Sequence, residues 1–196
     1  MAVFLRLARP GDAPGLLSLY APYVTGTVIS FEYQVPTLEE FTRRVEDTLA
    51  LHPYLVLEEE GRLLGYAYAH PFHSRPAYQW GAELTVYLEQ EAVGRGLGER
   101  LYGALFDLLR LQGVRRVYGC VTGENERSVR FHQRLGFTEC GRFAEAGFKQ
   151  GRWLEVLWLE KPLAPCAGEP APFVPFPQVD KTAAAQVLSR WNKACP

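Results

Sequence analysis

Three glycines stand close together where a strand-like sequence runs into a helix-like one. Gly94, Gly96 and Gly98 follow "TVYL" and precede the periodic apolar residues of "LYGALFDLLR". Each glycine inside a helix costs about 1 kcal/mol relative to alanine, so all three need a local reason. A turn almost without side chains exposes consecutive backbone N–H groups, and the helix dipole adds about half a positive charge there. The pattern indicates a pyrophosphate-binding turn, although the spacing alone is equally typical of a flexible turn.

Two well-known phosphate loops do not match this turn. The dinucleotide motif G-x-G-x-x-G fails because the glycines are spaced G-x-G-x-G. The P-loop fails because no Gly-Lys-Ser/Thr ending is present. Any phosphate recognition at this turn must therefore come from its backbone and from the helix that follows.

A lone carboxylate lies in the strand before the glycine turn. Glu83 is the one charged residue in "GAELTVYL", and strand alternation places it on one face with Thr85 and Tyr87. A carboxylate in apolar surroundings tends to have a raised pKa. Glu83 is therefore a candidate general base that takes a proton from a substrate ammonium, directly or through water. The alternative is an ordinary glutamate on a solvated strand edge.

A second polar group is predicted on one face of a short helix. Asn125, Ser128 and His132 recur at i, i+3 and i+7 in "NERSVRFHQRLGF", so they share a helix face. Asn125 fits an N-cap, and Gly136 predicts the end of the helix. An imidazole with a pKa of about 6.5 is a candidate proton donor or relay near neutral pH. Simple capping and a structural histidine are the alternatives.

The histidines and cysteines form no metal or redox motif. His70 and His73 lack a third ligand at a suitable spacing, so we expect no metal. The cysteines show no C-x-x-C spacing and predict reduced thiols in a cytoplasmic protein. They are Cys120, Cys140, Cys166 and Cys195.

The elements that position these residues alternate in type along one domain. The sequence predicts an N-terminal strand, a helix capped by Asp12, and a helix with a capping box of Thr37 and Glu40. A hairpin with a tight Glu60–Gly61 turn follows. Next come the Glu83 strand, a helix over about 95–112, a strand, the short helix and the last strands. This order indicates one mixed α/β domain over residues 1–163.

Residues 164–196 form a proline-rich extension beyond this domain. The stretch "APCAGEPAPFVPFPQ" predicts an extended segment. The stretch "DKTAAAQVLSRWNK" predicts a terminal helix. Val187, Leu188 and Trp191 of this helix are expected to dock on a surface that the sequence does not identify.

Composition narrows the classes of partner. The chain has 196 residues, a net charge of −1 and 47% hydrophobic residues, so it carries no general field for nucleic acid or an anionic membrane. Arg6 and Arg9 interrupt the N-terminal apolar residues, so no signal-peptide core is present. No segment approaches the roughly 20 apolar residues that span a bilayer. These features predict a cytoplasmic protein without nucleic-acid or membrane partners.

Two motifs around one strand–helix–strand unit resemble those of the GNAT acetyltransferases. "VGRGLG" at 93–98 resembles their coenzyme A motif Q/R-x-x-G-x-G/A, with Val93 where Gln or Arg is usual, and "NERS" resembles their N-x-x-S signature. "TVISFEYQ", "SVRFHQRLGF" and "AGFKQGRWLEV" resemble the phosphinothricin and methionine-sulfoximine N-acetyltransferases. The resemblance covers roughly 3–163. It implies the GNAT fold, a central mixed, mostly antiparallel sheet that is flanked by helices and splayed at the coenzyme A site.

The resemblance also implies roles for individual residues. Glu83 would be the base, and His132 would protonate the coenzyme thiolate or relay a proton. Pantetheine would lie along the Glu83 strand as an added strand does, and Arg75 would bind the carboxylate or phosphinate of an amino-acid-like substrate unless it is a solvated loop arginine. The implied coenzyme residues are Thr85, Val86, Tyr87, Val93, Gly94, Arg95, Gly96, Leu97, Gly98, Asn125 and Ser128. The implied substrate residues are Phe31, His73, Arg75 and Glu83.

We therefore expect an acetyl-CoA-dependent N-acetyltransferase for the α-amine of a small amino-acid analogue. Transfer is expected to be direct, because no Cys or Ser is placed to be an acylated nucleophile. A homodimer is expected by analogy alone. The alternatives are a GNAT enzyme for a polyamine, an aminoglycoside or a protein N-terminus, a module that binds acyl-CoA without turnover, and an interaction protein built on the extension.

Overall fold

The computed structural model describes residues 3–193. One seven-stranded sheet forms its centre. The strands are β1 (Phe4–Leu7), β2 (Tyr54–Glu59), β3 (Arg62–Pro71), β4 (Gly81–Leu88), β5 (Arg116–Thr122), β6 (Thr138–Lys149) and β7 (Arg152–Pro162). The helices are α1 (Ala13–Gly26), α2 (Leu38–Leu49), α3 (Leu97–Leu111), α4 (Glu126–Arg134) and α5 (Lys181–Lys193).

The sheet is mixed and mostly antiparallel, with the strand order β1-β2-β3-β4-β5-β7-β6. Only the β4–β5 pair is parallel among the described strands. Alternate residues of β2 serve two cores, because Leu55 and Leu57 pack with α3 on one face, while Tyr54 and Val56 pack with α1 and α2 on the other. The predicted fold class, a sheet flanked by helices, is confirmed.

The sheet splays between β4 and β5. Their pairing covers only Gly81–Glu83 of β4 and Arg116–Tyr118 of β5, although β4 continues to Leu88 and β5 to Thr122. Beyond Glu83 the two strands diverge, so the backbone edge of β4 that faces β5 is left open. The predicted splay is therefore confirmed, and Glu83 lies where it begins.

Two predicted helix starts differ in how they are capped. Thr37 caps α2, since its hydroxyl accepts a hydrogen bond from the Glu40 N–H at 3.2 Å. The Glu40 carboxylate pairs with Arg44 at 2.7 Å. Helix α1 begins after Asp12, but the Asp12 side chain makes no cap hydrogen bond to it. Its carboxylate instead binds Arg6 at 2.7 Å. Asp12 therefore occupies the predicted N-cap position without forming the side-chain cap.

The proline-rich extension packs onto the same sheet-and-helix core. Val187 of α5 is buried there, and Leu188 and Trp191 pack beside it. The segment before α5 is tied to the core as well, because the Gln112 side-chain amide donates to the Val174 carbonyl at 2.9 Å. Within the described part of the chain, no helix is long and apolar enough to cross a membrane. Cys195 lies outside the described residues.

Candidate active site

A cavity of about 320 Å³ opens at the glycine turn, where α3 begins. Gly94 and Gly96 have φ angles of 86° and 75°, a left-handed conformation that residues with a side chain rarely adopt. No atom lies within 4 Å of the place where a Cβ would stand at either glycine. The first N–H groups of α3 have no acceptor within the helix, and Leu97 lines the cavity. The turn thus fits a bound diphosphate.

Gly98, the third glycine of the turn, is required for close packing and not for its backbone conformation. Gly98 lies inside the first turn of α3, and a Cβ there would stand 3.1 Å from the ring of Phe131. Phe131 belongs to α4 and lines the same cavity. Gly98 therefore allows α3 and α4 to approach closely beside the proposed diphosphate position.

Charged side chains of α4 add to this cavity. Arg127 and Arg134 both line it, and their spacing of seven residues places them on one helix face. Because guanidinium groups bind phosphate well, they are coenzyme candidates that the sequence reasoning missed. Arg95 does not line this cavity in the described structure, since its guanidinium pairs with Glu59 at 2.9 Å. Its role as a coenzyme contact stays a prediction.

A second cavity, of about 100 Å³, lies in the splay between β4 and β5. Glu83 and His132 both line it, although they come from opposite sides of the sheet. The two cavities also have lining residues in common, so the splay leads directly into the glycine-turn cavity. The shared residues are Ile29, Val86, Tyr87, Asn125 and Ser128.

Glu83 is positioned to accept a proton. Burial raises the pKa of its carboxyl group, and the neighbouring His70 and His73 lower that pKa by a smaller amount. His70 is the direct cross-strand partner of Glu83, and its Nε2 lies 3.8 Å from Glu83 Oε1. His73 also acts electrostatically on Glu83, and its contact with substrate stays a prediction. His70 is an addition, because the sequence analysis considered it only as a metal ligand.

His132 is held by hydrogen bonds at both ring nitrogens. Its Nδ1 lies 2.8 Å from the Ser128 carbonyl oxygen and must donate to it, so the neutral ring accepts at Nε2 from the Tyr102 hydroxyl at 3.3 Å. The side chain is 3% exposed, and burial lowers its pKa. The geometry therefore favours a neutral imidazole, which orients Tyr102. It does not favour an imidazolium that donates a proton.

Asn125 and Ser128 join this arrangement as the helix pattern predicted. Asn125 caps α4, because its Oδ1 accepts from the Ser128 N–H at 3.2 Å. The Ser128 hydroxyl lies 3.4 Å from Nδ1 of His132. Since Asn125 and Ser128 also line both cavities, capping and ligand contact are compatible at this helix start.

Two further residues of the splay cavity were missed by sequence reasoning. Tyr102 of α3 is fully enclosed, and burial raises the pKa of its hydroxyl. Its position on the apolar face of α3 gives no signal beyond that of a core residue. Cys120 of β5 also lines the cavity, and burial followed by the Glu83 charge raises the pKa of its thiol to about 12. A thiol with such a pKa is a weak nucleophile at neutral pH.

Comparison with known proteins agrees with this geometry. Residues 5–158 match the model of the family described as the acetyltransferase (GNAT) domain. The chain belongs to the GNAT acetyltransferase family. The predicted enzyme class, an N-acetyltransferase, is thereby confirmed.

Two named relatives show which GNAT acetyltransferases this chain resembles in sequence. A phosphinothricin N-acetyltransferase of Streptomyces coelicolor is 38% identical over 162 residues, covering 79% of this chain and 95% of that protein. An L-methionine sulfoximine/L-methionine sulfone acetyltransferase of Pseudomonas aeruginosa is 30% identical over 173 residues, covering 87% of this chain and all of that protein.

The fold also matches a solved GNAT structure. The phosphinothricin acetyltransferase of Sinorhizobium meliloti in complex with AcCoA superposes with a TM-score of 0.83 and 32% identity. The match covers 87% of this chain and 94% of that one. The predicted resemblance and fold are confirmed.

The GNAT enzyme holds one predicted substrate residue in a loop over the splay. The α1–α2 loop is anchored where the Thr122 hydroxyl donates to the Val28 carbonyl at 2.9 Å, and where Lys149 Nζ donates to the Ser30 carbonyl at 2.6 Å. Ile29 of this loop lines both cavities. Phe31 lies further along and packs against Gly147 of β6, so its contact with substrate stays a prediction.

Arg75 lies in the exposed loop between β3 and β4. It is absent from the described residues that line the two cavities. The structure therefore does not bring it beside Glu83, and its substrate role stays a prediction. Within residues 3–193, no group of three His, Cys, Asp or Glu side chains is placed to hold a metal ion.

Proposed function

We propose that this GNAT enzyme transfers the acetyl group of acetyl-CoA to the α-amine of a small amino-acid analogue of the phosphinothricin, methionine sulfoximine or methionine sulfone type. One observation carries the proposal: Glu83, whose pKa is raised by burial, lines a splay that leads into the glycine-turn cavity. The names of the relatives in Streptomyces coelicolor and Pseudomonas aeruginosa support the substrate class.

In this proposal, backbone groups of α3 and β4 make most of the contacts with the coenzyme. The N–H groups of the first turn of α3 bind the diphosphate, and Arg127 and Arg134 add positive charge at the same cavity. The open edge of β4 at Thr85, Val86 and Tyr87 binds the peptide-like pantetheine as an added strand. When bound, acetyl-CoA supplies the acetyl group as a thioester.

Proton transfers through Glu83 and Tyr102 complete the reaction. Glu83 takes the first proton from the substrate ammonium, which frees the lone pair of the amine. The Tyr102 hydroxyl, whose hydrogen points to His132 Nε2 at 3.3 Å in this structure, turns to give that proton to the departing sulfur and regains one from the amine nitrogen. The acetyl–sulfur bond breaks as the acetyl–nitrogen bond forms, and Glu83 then releases its proton to solvent.

A binding and turnover assay tests this function. Acetyl-CoA binding is measured by calorimetry, and thiol release is followed with methionine sulfone, methionine sulfoximine, phosphinothricin, spermidine, kanamycin and a short peptide. We expect binding, and turnover with the amino-acid analogues. Turnover confined to spermidine, kanamycin or the peptide would contradict the acceptor class, and binding without any thiol release would contradict the enzymatic role.

The base is tested with one charge-neutral substitution. Glu83→Gln should lower kcat/KM for the acceptor by about 10² to 10³, because general base catalysis is lost, while acetyl-CoA binding is kept. Glu46→Gln, at an exposed position of α2, is the matched control and should retain the parent rate. A Glu83→Gln enzyme as fast as the control contradicts the role of Glu83.

We further propose a cytoplasmic homodimer that has no nucleic-acid or membrane partner. An aromatic patch is exposed beside the β6–β7 hairpin, and its members are Phe31, Tyr33, Phe143, Phe148 and Trp153. Exposed apolar patches mark interaction surfaces, and this patch includes the predicted substrate residue Phe31.

The free thiols of Cys120, Cys140 and Cys166 fit a reducing compartment.

A further inference from the structure

The terminal helix α5 ends against the first turn of α3, the helix that begins at the glycine turn. The contact is made through Arg100, which is 7% exposed. The Arg100 N–H donates to the Gly96 carbonyl at 3.2 Å, which closes the first turn of α3. Its guanidinium donates to the Trp191 carbonyl at 2.9 Å and to Asn192 Oδ1 at 2.8 Å. The conformation of Gly96 is therefore linked to the last turn of α5.

The same junction includes the N-terminal edge of the sheet. Asn192 Oδ1 accepts from the Leu5 N–H at 2.8 Å, and Asn192 Nδ2 donates to the Leu5 carbonyl at 2.8 Å. Arg100 also donates to the Val3 carbonyl at 2.9 Å. Asn192 thus pairs with β1 as a neighbouring strand residue does, so α3, α5 and β1 hold one another at a single point.

Helix α5 is seated by an indole ring in a notch of α3. A Cβ at Gly103 would stand 2.1 Å from the Trp191 ring, so the ring occupies the space that only glycine leaves open. The Trp191 Nε1–H donates to Asp107 at 2.8 Å, and Arg190 pairs with the same carboxylate at 2.6 Å. These contacts fix the position of α5 along α3.

We propose that Arg100, Trp191 and Asn192 are positioning residues for acetyl-CoA. They hold the first turn of α3, so the N–H groups that follow Gly96 keep the orientation that a diphosphate requires before it binds. This inference rests on the proposed binding of acetyl-CoA at the glycine turn. Since α5 lies beyond the matched residues 5–158, the GNAT domain of this chain relies on an added element to complete its coenzyme site.

The test disturbs the notch from both sides. Trp191→Ala removes the ring, and Gly103→Ala displaces it from the α3 side while alanine favours the helix itself. Each variant should raise the Kd and the KM of acetyl-CoA by about 10-fold, with kcat at saturating acetyl-CoA and the acceptor KM within about twofold of the parent. Gln186→Ala, at an exposed position of α5, is the control and should change nothing.

The double variant and a binding-free readout separate positioning from general destabilisation. Gly103→Ala with Trp191→Ala should be no worse than Trp191→Ala alone, because the clash is absent and the two effects are not additive. Amide hydrogen exchange of the coenzyme-free protein should be faster at Arg100, whose N–H is bonded to the Gly96 carbonyl, in each single variant. If Trp191→Ala fails to fold, Asn192→Ala, which keeps the ring, gives the same comparison.

The outcomes distinguish this inference from the proposed function. A parent protein that does not bind acetyl-CoA contradicts the proposed function. A parent that binds it while the variants keep the same Kd and the same exchange at Arg100 contradicts the positioning role alone. A lower kcat and similar rises in the KM of acetyl-CoA and of the acceptor, together with a lower Tm, would show that α5 acts only on overall stability.

Discussion

The protonation of Glu83 decides the pH range in which this site can work. In the proposed mechanism its carboxylate must be free to accept the amine proton, and burial raises its pKa. The fall of kcat/KM on the acid side should therefore come at a higher pH than that of an ordinary glutamate, whose pKa is about 4.3. Tyr102 and Cys120 also face this cavity, but their raised pKa values keep them protonated across this range.

His70 gives this pH dependence a direct test. In its protonated form the imidazole lowers the pKa of Glu83 across 3.8 Å. His70→Gln removes that charge, so the Glu83 pKa should rise further and the acid limb should move to higher pH. The measurement is a pH profile of kcat/KM, because the acceptor amine ionises identically in the parent and the variant.

His73→Gln is the matched comparison for this shift. His73 acts on Glu83 in the same direction but more weakly, so its removal should move the acid limb the same way by less. A limb that moves to lower pH in His70→Gln, or one that moves in neither variant, contradicts the placement of these imidazoles beside the base.

The residues that were predicted from sequence are those whose type is unusual for their element. Glu83 is a charge in an apolar strand, so it could be selected as a candidate without a structure, and it does line the splay cavity. Tyr102 carries no such signal, because a tyrosine on the apolar face of α3 reads as core. His70 was missed because pairing with Glu83 depends on the β3–β4 register. A long connection over 72–80 does not fix that register, unlike a two-residue turn.

At the scale of the element, the glycine turn has room for a side chain but a backbone conformation that only glycine adopts easily. Gly96→Ala places a methyl group in open space but forces alanine to a φ of 75°. The left-handed conformation should cost about 1–2 kcal/mol of folding free energy, and relaxation of the turn should weaken acetyl-CoA binding. Chemical denaturation measures the first effect, and calorimetry the second.

Gly26→Ala supplies the control for this prediction. A Cβ at Gly26 also meets no atom within 4 Å, but Gly26 does not have a positive φ. Its stability should stay within about 0.5 kcal/mol of the parent, with an unchanged Kd for acetyl-CoA. Equal results for the two variants would mean that the turn is flexible and unstrained, which was the alternative left open by the glycine spacing.

Elements were predicted well where the sequence signal is local. The Thr37 and Asn125 caps are each satisfied within three residues, and both form. The Asp12 side chain does not cap α1 because residues that precede it compete, since the Arg6 guanidinium and the Arg9 N–H both bind its carboxylate. The docking surface of α5 was likewise beyond sequence reasoning, because the glycine that makes room for Trp191 lies on α3, far away along the chain.

At the scale of the whole molecule, the β6 edge of the sheet carries exposed aromatic side chains. At the β6 edge, Phe143, Phe148 and Trp153 are 53%, 46% and 62% exposed. Phe148 and Trp153 contact each other edge to face, and Tyr33 donates its hydroxyl hydrogen to the Phe148 carbonyl. The contact of Tyr33 with Phe148 connects the α1–α2 loop to the patch, so burial of the patch against a second copy would also order the loop that carries Phe31.

Trp153→Glu tests the dimer, because a charge at the centre of an apolar contact opposes association. The parent should sediment as a dimer and Trp153→Glu as a monomer. The variant should keep its Kd for acetyl-CoA while the acceptor KM rises, since the patch contains Phe31 and not the glycine turn. Phe4→Glu is the matched control, as Phe4 is 54% exposed on β1 at the opposite edge. It should leave the dimer intact. A monomeric parent, or a dimer that survives Trp153→Glu, rules out this patch as the contact between subunits.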